Sequence, residues 1–436
     1  FDGVVQLQHA ARDGAIRQTA LNALDKDGLA AQRILAILQA ACARAVGNQH
    51  QLIALHAMQQ VEQRGVDVDV FEQANELREF GAGIQISPNG NRVLDALGVF
   101  EDLRKLSCNA DAKEIRLWNT GQTWKLFDLG QEATRKYGHP YLTVFRPDLL
   151  RLLGEQVLRL KPDAIHLNAR GVDMRQDDNG VELTLADGRV FRGDVLVGAD
   201  GVHSKIRHAL FGADETIFTG MVAWRTLIPM DSLPDRFRSN IAVNWVGPGG
   251  HVVHYPVQGG KILNWVGTLE GNTWTCAPWS APAAPAECMT AFAGWHEDLH
   301  LMLRHAPSVT RWALCTRTFL DTWTRGRATL LGDACHPTLP FLAQGAVHTL
   351  EDAVVLARCL TAGNHVEEAL VRYDAARRPR TYRMVQGAAD NTSRFHNPAL
   401  SDPQGAQAFI SREWQSAAIS DRYDWLFTYD AKAAPI

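Results

Sequence analysis

The chain has 436 residues, enough to bury a large core and to divide into two or three domains. Its 46% hydrophobic and 21% charged composition is that of a globular protein, and a net charge of −4 with no basic run argues against a nucleic-acid surface, leaving small molecules as the expected partners. The seven cysteines (42, 108, 276, 288, 315, 335, 359) form no CxxC and no metal-ligand spacing, so they read as reduced core thiols of a cytoplasmic protein, and no stretch approaches the roughly 18 to 20 apolar residues of a membrane helix or the pattern of a secretory leader.

Taken in chain order, residues 12–62 read as helices, Ala30–Ala45 and Gln49–Gln63, with no β-branched apolar strand among them. Val66–Glu72 alternates apolar and polar residues and ends on an acid, as a strand carrying a ribose-binding Glu would; an edge strand with a chance Glu is the plain alternative. Phe80–Ile84 and Ser87–Gly90 make a Gly-rich turn region, and Arg146 precedes a helix opened by Pro147. Ile165–Phe191, with its Asp-Asn-Gly and Ala-Asp-Gly turns, reads as a β-meander. Val195–Val197 is a short apolar strand closed by Gly-Ala-Asp-Gly, with Ser204 and Arg207 following.

From Phe218 to Thr268 four paired strands, aromatic on one face, are expected to roof a pocket. Trp224, Arg225, His254, Tyr255 and Asn264 are its candidate substrate neighbours, with Trp265 as a further ring; any one alone is more often core than ligand. Ala277–Pro285 reads as a surface loop.

Ala328–Leu331 is another short buried strand, closed by Gly332, so Asp333 falls at a strand's C-terminal end, where open α/β sheets bind ligands. Pro337 and Pro340 mark a loop, and from Gln344-Gly345 the spacing Ala346, Leu350, Val354, Ala357 predicts a helix. Its free N–H groups would face the same edge and favour a pyrophosphate or the N1/O2 side of a reduced flavin. His336 reads equally as a proton relay, a ring neighbour or a loop His satisfied by backbone. Val366–Arg378 and Met384–Phe395 are expected as amphipathic helices separated by Pro379, before an end bearing Trp414 and Trp425.

Two stretches, GADGVHSKIR and GDACHPTLPFLAQGA, resemble the paired fingerprints of the single-component FAD-dependent aromatic hydroxylases, of the salicylate hydroxylase type. The similarity runs from about Arg64 to about Asp430, and two long fingerprints in order are far more specific than a lone GxGxxG. The resemblance implies an α/β chain: a doubly wound FAD-binding domain (64–210 and 315–375), interrupted by a β-sheet substrate domain (211–314), with C-terminal helices (376–436). It implies FAD held by Glu72, Gly83, Arg146, Asp200, Gly201, Gly332, Asp333, Gly345 and Ala346, with NAD(P)H and O2 as co-substrates, and it makes His336, Tyr255 and Pro340 the candidates beside the reacting ring. A monomer or homodimer is expected.

The family's first strand, GxGxxG and helix are missing from their usual place. Counted back from Gly65, the helix would span Leu52–Gln63 and the glycines would fall near Gln49, Gln51 and Ala54, with only Gly47 nearby. Residues 1–63 are therefore expected as an atypical helical region. A divergent cradle, a replaced or misread start and a relative without FAD all remain open, and the absence of an initiating Met favours the second.

The implied chemistry is hydroxylation of a small phenolic acid: NAD(P)H supplies the electrons, O2 the oxygen, and the protein excludes water and keeps the phenol ionised or hydrogen-bonded. Salicylate to catechol stands first, because the closing segment Asp421–Asp430, DRYDWLFTYD, resembles that of the salicylate and 3-hydroxybenzoate enzymes, and 3-hydroxybenzoate 6-hydroxylation stands second. Trp224 occupies the place of a His base in the hydroxynicotinate enzymes, which argues against that substrate. A flavin dehydrogenase or oxidase, or a binding protein that has lost its flavin, are the rival readings.

Overall fold

The computed structural model describes residues 33–38, 67–77, 82–271, 273–274, 279–363 and 365–436, with the backbone alone for 33–38. A six-stranded sheet runs in the order Thr324–Arg325, Ala328–Leu330, Val195–Gly198, Arg33–Leu38, Asp67–Glu72, Ile165–His166. Every pairing in it is parallel except that of the Thr324–Arg325 edge. Such strands are covered on both faces, which is why Val195–Gly198 and Ala328–Leu330 are short runs of fully buried residues.

Arg33–Leu38 overturns the helix expected over Ala30–Ala45. It pairs with Val195–Gly198 on one side and Asp67–Glu72 on the other. Ile-Leu-Ala-Ile-Leu is a continuous apolar run that fits a buried strand as well as a helix, and two open parallel edges needing hydrogen-bond partners decide between them. Residues upstream of 64 thus supply an inner strand of the sheet, and the first strand of a nucleotide fold is present after all. Residues 39–66, which hold Gly47, Gln49, Gln51, Ala54 and the expected Gln49–Gln63 helix, lie outside the described residues, as do Phe80 and Gly81.

An eight-stranded sheet runs Ser280–Ala283, Val309–Thr316, Ile217–Pro229, Ile262–Leu269, Gly250–Val257, Ile241–Gly247, Ala112–Leu117, Thr123–Asp128. It is antiparallel except where Ile241–Gly247 meets Ala112–Leu117. One face buries Trp224, Trp245 and Trp265 against Phe292, Leu299 and Met302 of a helical cap. The other faces the six-stranded sheet's binding edge and the C-terminal helices.

This arrangement moves the expected boundaries. Ala112–Leu117 and Thr123–Asp128, placed by sequence in the FAD domain, end the second sheet, and Val309–Thr316 crosses the 314/315 boundary. Ser280–Ala283 is a strand rather than a surface loop, pairing with the open edge of Val309–Thr316 and carrying Pro282 where an edge strand tolerates it. Val366–Phe395 is one helix that continues through Pro379 and across the 375/376 boundary. A proline there costs about 3 kcal/mol, and buried ion pairs on both sides hold the helix: Arg377 to Asp352 at 2.7 Å and Arg380 to Glu351 at 2.8 Å. No described helix is long and apolar enough to cross a membrane.

Candidate active site

Because the inner strands are parallel and in register, their C-terminal ends put Glu72, Asp200 and Asp333 on one edge. Glu72 is fully buried and accepts from the Ala74 N–H at 2.7 Å. Asp200 accepts from the Ser204 hydroxyl and from the N–H groups of Lys205 and Ile206, capping the helix Lys205–Phe211. Gly201 and Gly332 have φ of 78° and 64°, left-handed turns at the two strand ends: Gly201 directly follows Asp200, and Gly332 directly precedes Asp333. Arg207 joins the two fingerprints: it donates to the Ala334 carbonyl at 3.2 Å and pairs with Asp214 at 2.6 Å.

The helix Gly345–Thr361 begins without a side-chain cap, so the first-turn N–H groups at Gly345 and Ala346 lack an intrahelical partner and point to the same edge. Between this edge and the eight-stranded sheet lies a cavity. Its walls bring together nine of the residues singled out from sequence: Gly83, Arg146, Arg225, Tyr255, Asn264, Asp333, Pro340, Gly345 and Ala346. Gly83 N–H donates to Asn264 Oδ1 at 2.8 Å, and a Cβ on Gly83 would lie 2.6 Å from Asn264 Cγ and 2.7 Å from Tyr255 Cε2, so the strand and sheet touch where only glycine fits.

Trp224, His254 and Trp265 are not in the cavity wall. The period-2 alternation of the strands sends Arg225, Tyr255 and Asn264 into it and their neighbours Trp224, His254 and Trp265 to the opposite face, where both tryptophans pack in the core. His336 is also withdrawn. It is 1% exposed, its Nε2 lies 2.6 Å from Asp352 Oδ2, and its ring packs on Trp323, so it belongs to a buried network with Asp352, Arg377 and Glu351 behind the helix start.

Two residues that sequence reasoning passed over are in the wall, Lys113 and His251. Both follow from the alternation once Tyr255 is fixed. His251 is four residues before it on the same strand face, and Lys113 pairs with Ala242, which sits between it and the Tyr255 strand. Lys113 is 6% exposed, and burial alone lowers its ammonium to about 8. Burial, with Arg146 nearby, lowers the Arg225 guanidinium to about 10, and its face lies 4.9 Å from the Trp312 ring. Among the described residues neither cation has a carboxylate partner, and Arg225 Nε has no hydrogen bond. Burial pushes the Tyr255 hydroxyl up to about 12, so it can donate but not act as a base. The Asp333 carboxyl is raised by burial, opposed by His336 and Arg146.

A parallel sheet whose strand ends converge on an uncapped helix start, roofed by a second sheet over a cationic cavity, defines a flavoprotein with a substrate domain. The donor set fits the ring end of FAD: the free N–H groups at Gly345 and Ala346 for a developing negative charge, Asp333 for hydroxyl groups, Arg146 beside them. A model of the FAD binding domain family matches residues 55–388. The 3-amino-4-hydroxybenzoate 2-monooxygenase PtmB3 of Streptomyces platensis is 36% identical over 85% of this chain and 92% of its own. The 3-hydroxybenzoate 6-hydroxylase 1 of Aquipseudomonas alcaligenes is 34% identical over 83% and 91%. A salicylate hydroxylase solved as a substrate complex superposes with a TM-score of 0.75 at 24% identity, over 92% of this chain and 97% of that one. The chain belongs to the single-component FAD-dependent aromatic hydroxylases.

Proposed function

We propose that this enzyme hydroxylates a hydroxybenzoate at a hydrogen-bearing ring carbon, with NAD(P)H and O2 as co-substrates and the carboxylate retained. The observation that carries this is the pair of buried cations, Lys113 and Arg225, which face the same cavity as the flavin edge and, among the described residues, have no carboxylate to neutralise them. An unpaired buried charge is expensive, and an incoming carboxylate is the natural counter-ion. Bound FAD supplies the transfer of electrons from NAD(P)H to O2. The protein's part is to anchor the carboxylate on the cations and to seat the ring beside Pro340 and Phe341. Tyr255 donates a hydrogen bond that helps to orient the ring. In balance, ArH, O2, NAD(P)H and H+ give ArOH, water and NAD(P)+.

Both curated relatives named above act on hydroxybenzoates and hydroxylate ring positions, which supports retention of the carboxylate. Salicylate to catechol is the second reading. The closing segment that pointed to it serves the fold: Asp424 pairs with Lys136 at 2.9 Å, the Trp425 carbonyl accepts from Arg380 at 3.0 Å, and neither residue lines the cavity. The test is product analysis with FAD-loaded enzyme, NADH or NADPH, and 3-hydroxybenzoate, 3-amino-4-hydroxybenzoate and salicylate. A product one oxygen heavier that keeps its carboxylate is expected. Catechol and CO2 from salicylate would favour the second reading, and NAD(P)H consumption unresponsive to any hydroxybenzoate would favour an oxidase or dehydrogenase.

A further inference from the structure

One wall of the cavity carries a hydrogen-bonded chain that anchoring the substrate leaves unused. His251 is 3% exposed. Its Nδ1 lies 2.6 Å from Nε2 of His396, and Nδ1 of His396 lies 2.6 Å from Oε1 of Glu270. The His396 side chain is 2% exposed and that of Glu270 43%, so the chain runs from a buried wall to solvent. Backbone bonds hold the three segments together: Gly249 N–H donates to the His396 carbonyl at 3.1 Å, and Glu270 N–H to the Gly249 carbonyl at 2.9 Å.

The hydrogen positions follow from the chemistry of the two ends. Burial holds both imidazoles below the usual histidine range; His251 is lowered further by His396, whereas Glu270 opposes the shift at His396. A carboxylate only accepts, so His396 carries its hydrogen on Nδ1. A neutral His396 then offers a bare Nε2, which accepts from Nδ1–H of His251, and a neutral His251 is left with a bare Nε2. Among the described residues, the other contacts of the His251 ring are apolar or neutral: Phe341 with its centroid 4.7 Å away, Phe395 at 5.3 Å, and Thr268 opposite it on the paired strand. Among the described residues, Glu270 is the charged group that acts on His396.

We propose that His251, His396 and Glu270 form a proton relay that carries the hydroxyl proton of the bound phenol to solvent. The inference rests on the hydroxylation reading for the identity of the proton donor. The substrate O–H bond breaks and its proton goes to Nε2 of His251. Nδ1–H of His251 passes to Nε2 of His396, and Nδ1–H of His396 passes to Oε1 of Glu270, which releases it to water. One proton leaves, the electron pair stays on the substrate oxygen, and no oxidant is consumed. The same chain run backwards returns a proton to the product and restores both tautomers. His251 is the catalytic residue, and His396 and Glu270 act through it.

Glu270→Gln keeps a carbonyl acceptor toward His396 but cannot take the proton; His396→Phe cuts the chain. In FAD-loaded enzyme the ultraviolet spectrum of bound 3-hydroxybenzoate, followed in time, reports its ionisation. After a jump to higher pH, phenolate should form faster on wild type than on either variant, since the relay governs the rate of proton loss while the cavity's cations govern its equilibrium. Hydroxylation should slow about tenfold in Glu270→Gln and about 100-fold in His251→Gln, the low end for a lost general base, with FAD content unchanged as the folding control. An unaltered rate of phenol ionisation in both Glu270→Gln and His396→Phe overturns the relay. Nitrogen NMR of 15N-histidine-labelled holoenzyme gives a readout independent of any substrate: both rings should be hydrogenated at Nδ1, and a His251 hydrogenated at Nε2 overturns the relay. A wild type that binds and converts no hydroxybenzoate sinks the hydroxylation reading, and the tautomers then still decide the relay.

Discussion

Replacing Lys113 with Met should make the substrate-free enzyme more stable and less able to bind its substrate. The Lys113 ammonium is 6% exposed and burial lowers it from 10.5 to about 8. At about 1.4 kcal/mol per pH unit, that fall is a cost to folding on the order of 3 kcal/mol. The sign follows from proton counting. Between pH 8 and 10.5 the unfolded chain holds a proton that the folded chain has lost, so wild-type stability rises with pH across this window; the cost is fully present below pH 8 and gone above 10.5. For a chain of this length, with an unfolding entropy of about 2 cal/mol/K per residue, Lys113→Met should raise the melting temperature at pH 7 by about 3 °C, and the gap should close as pH rises through 8 to 10. Met is the near-isosteric choice, since it fills the space of the stem without its charge. Hydroxybenzoate affinity should fall about 10- to 100-fold, the worth of a charged hydrogen bond. Wild-type affinity should itself weaken above pH 8 as the ammonium deprotonates. Thermal melts of FAD-loaded protein with and without hydroxybenzoate, at several pH values, supply both readings. A Lys113→Met protein less stable than wild type at pH 7, with unchanged affinity, would show that the ammonium is not the uncompensated charge described above.

Asp333→Ala should weaken FAD binding by about 1 to 3 kcal/mol, the range for hydrogen bonds to a charged group, as measured by flavin fluorescence titration; equal affinity would remove Asp333 from the cofactor site. Acid should destabilise the protein through its buried neutral histidines. Burial, with Arg116 nearby, lowers His254 to about 3, and burial lowers His251 and His348 well below 6.5. Below pH 6.5 the unfolded chain binds protons the folded chain refuses, so stability falls as pH drops toward each folded value, by about 1.4 kcal/mol per pH unit for each histidine. His254→Phe, in a site where Nε2 has no hydrogen bond, should flatten the loss between pH 6.5 and 4.5; an unaltered slope in melts across that range would place the acid sensitivity elsewhere.

The parts of this protein that the sequence alone determined are those where local chemistry leaves one option. Gly201 and Gly332 make left-handed turns at the ends of two buried strands, an Asp adjoins each of these glycines, and Gln344-Gly345 opens a helix with helical apolar spacing, so the binding edge was legible. Strand content over 218–268 was also legible, but the sequence put Trp224 and His254 in one group with Arg225, Tyr255 and Asn264, and only the latter three line the cavity. What the sequence left undecided depended on partners distant in the chain. Ile-Leu-Ala-Ile-Leu at 34–38 suits a helix until two parallel edges claim it, and Pro379 reads as a helix end until Arg377 and Arg380 find buried carboxylates. Which face of each strand meets the cavity turned on a single register, and that choice sent Trp224 and His254 to the core and brought Lys113 and His251 to the wall. The chain from His251 to Glu270 joins residues 126 positions apart at one link and 145 at the other, a contact that no local pattern encodes and that only the packing of a helix end against two strands creates.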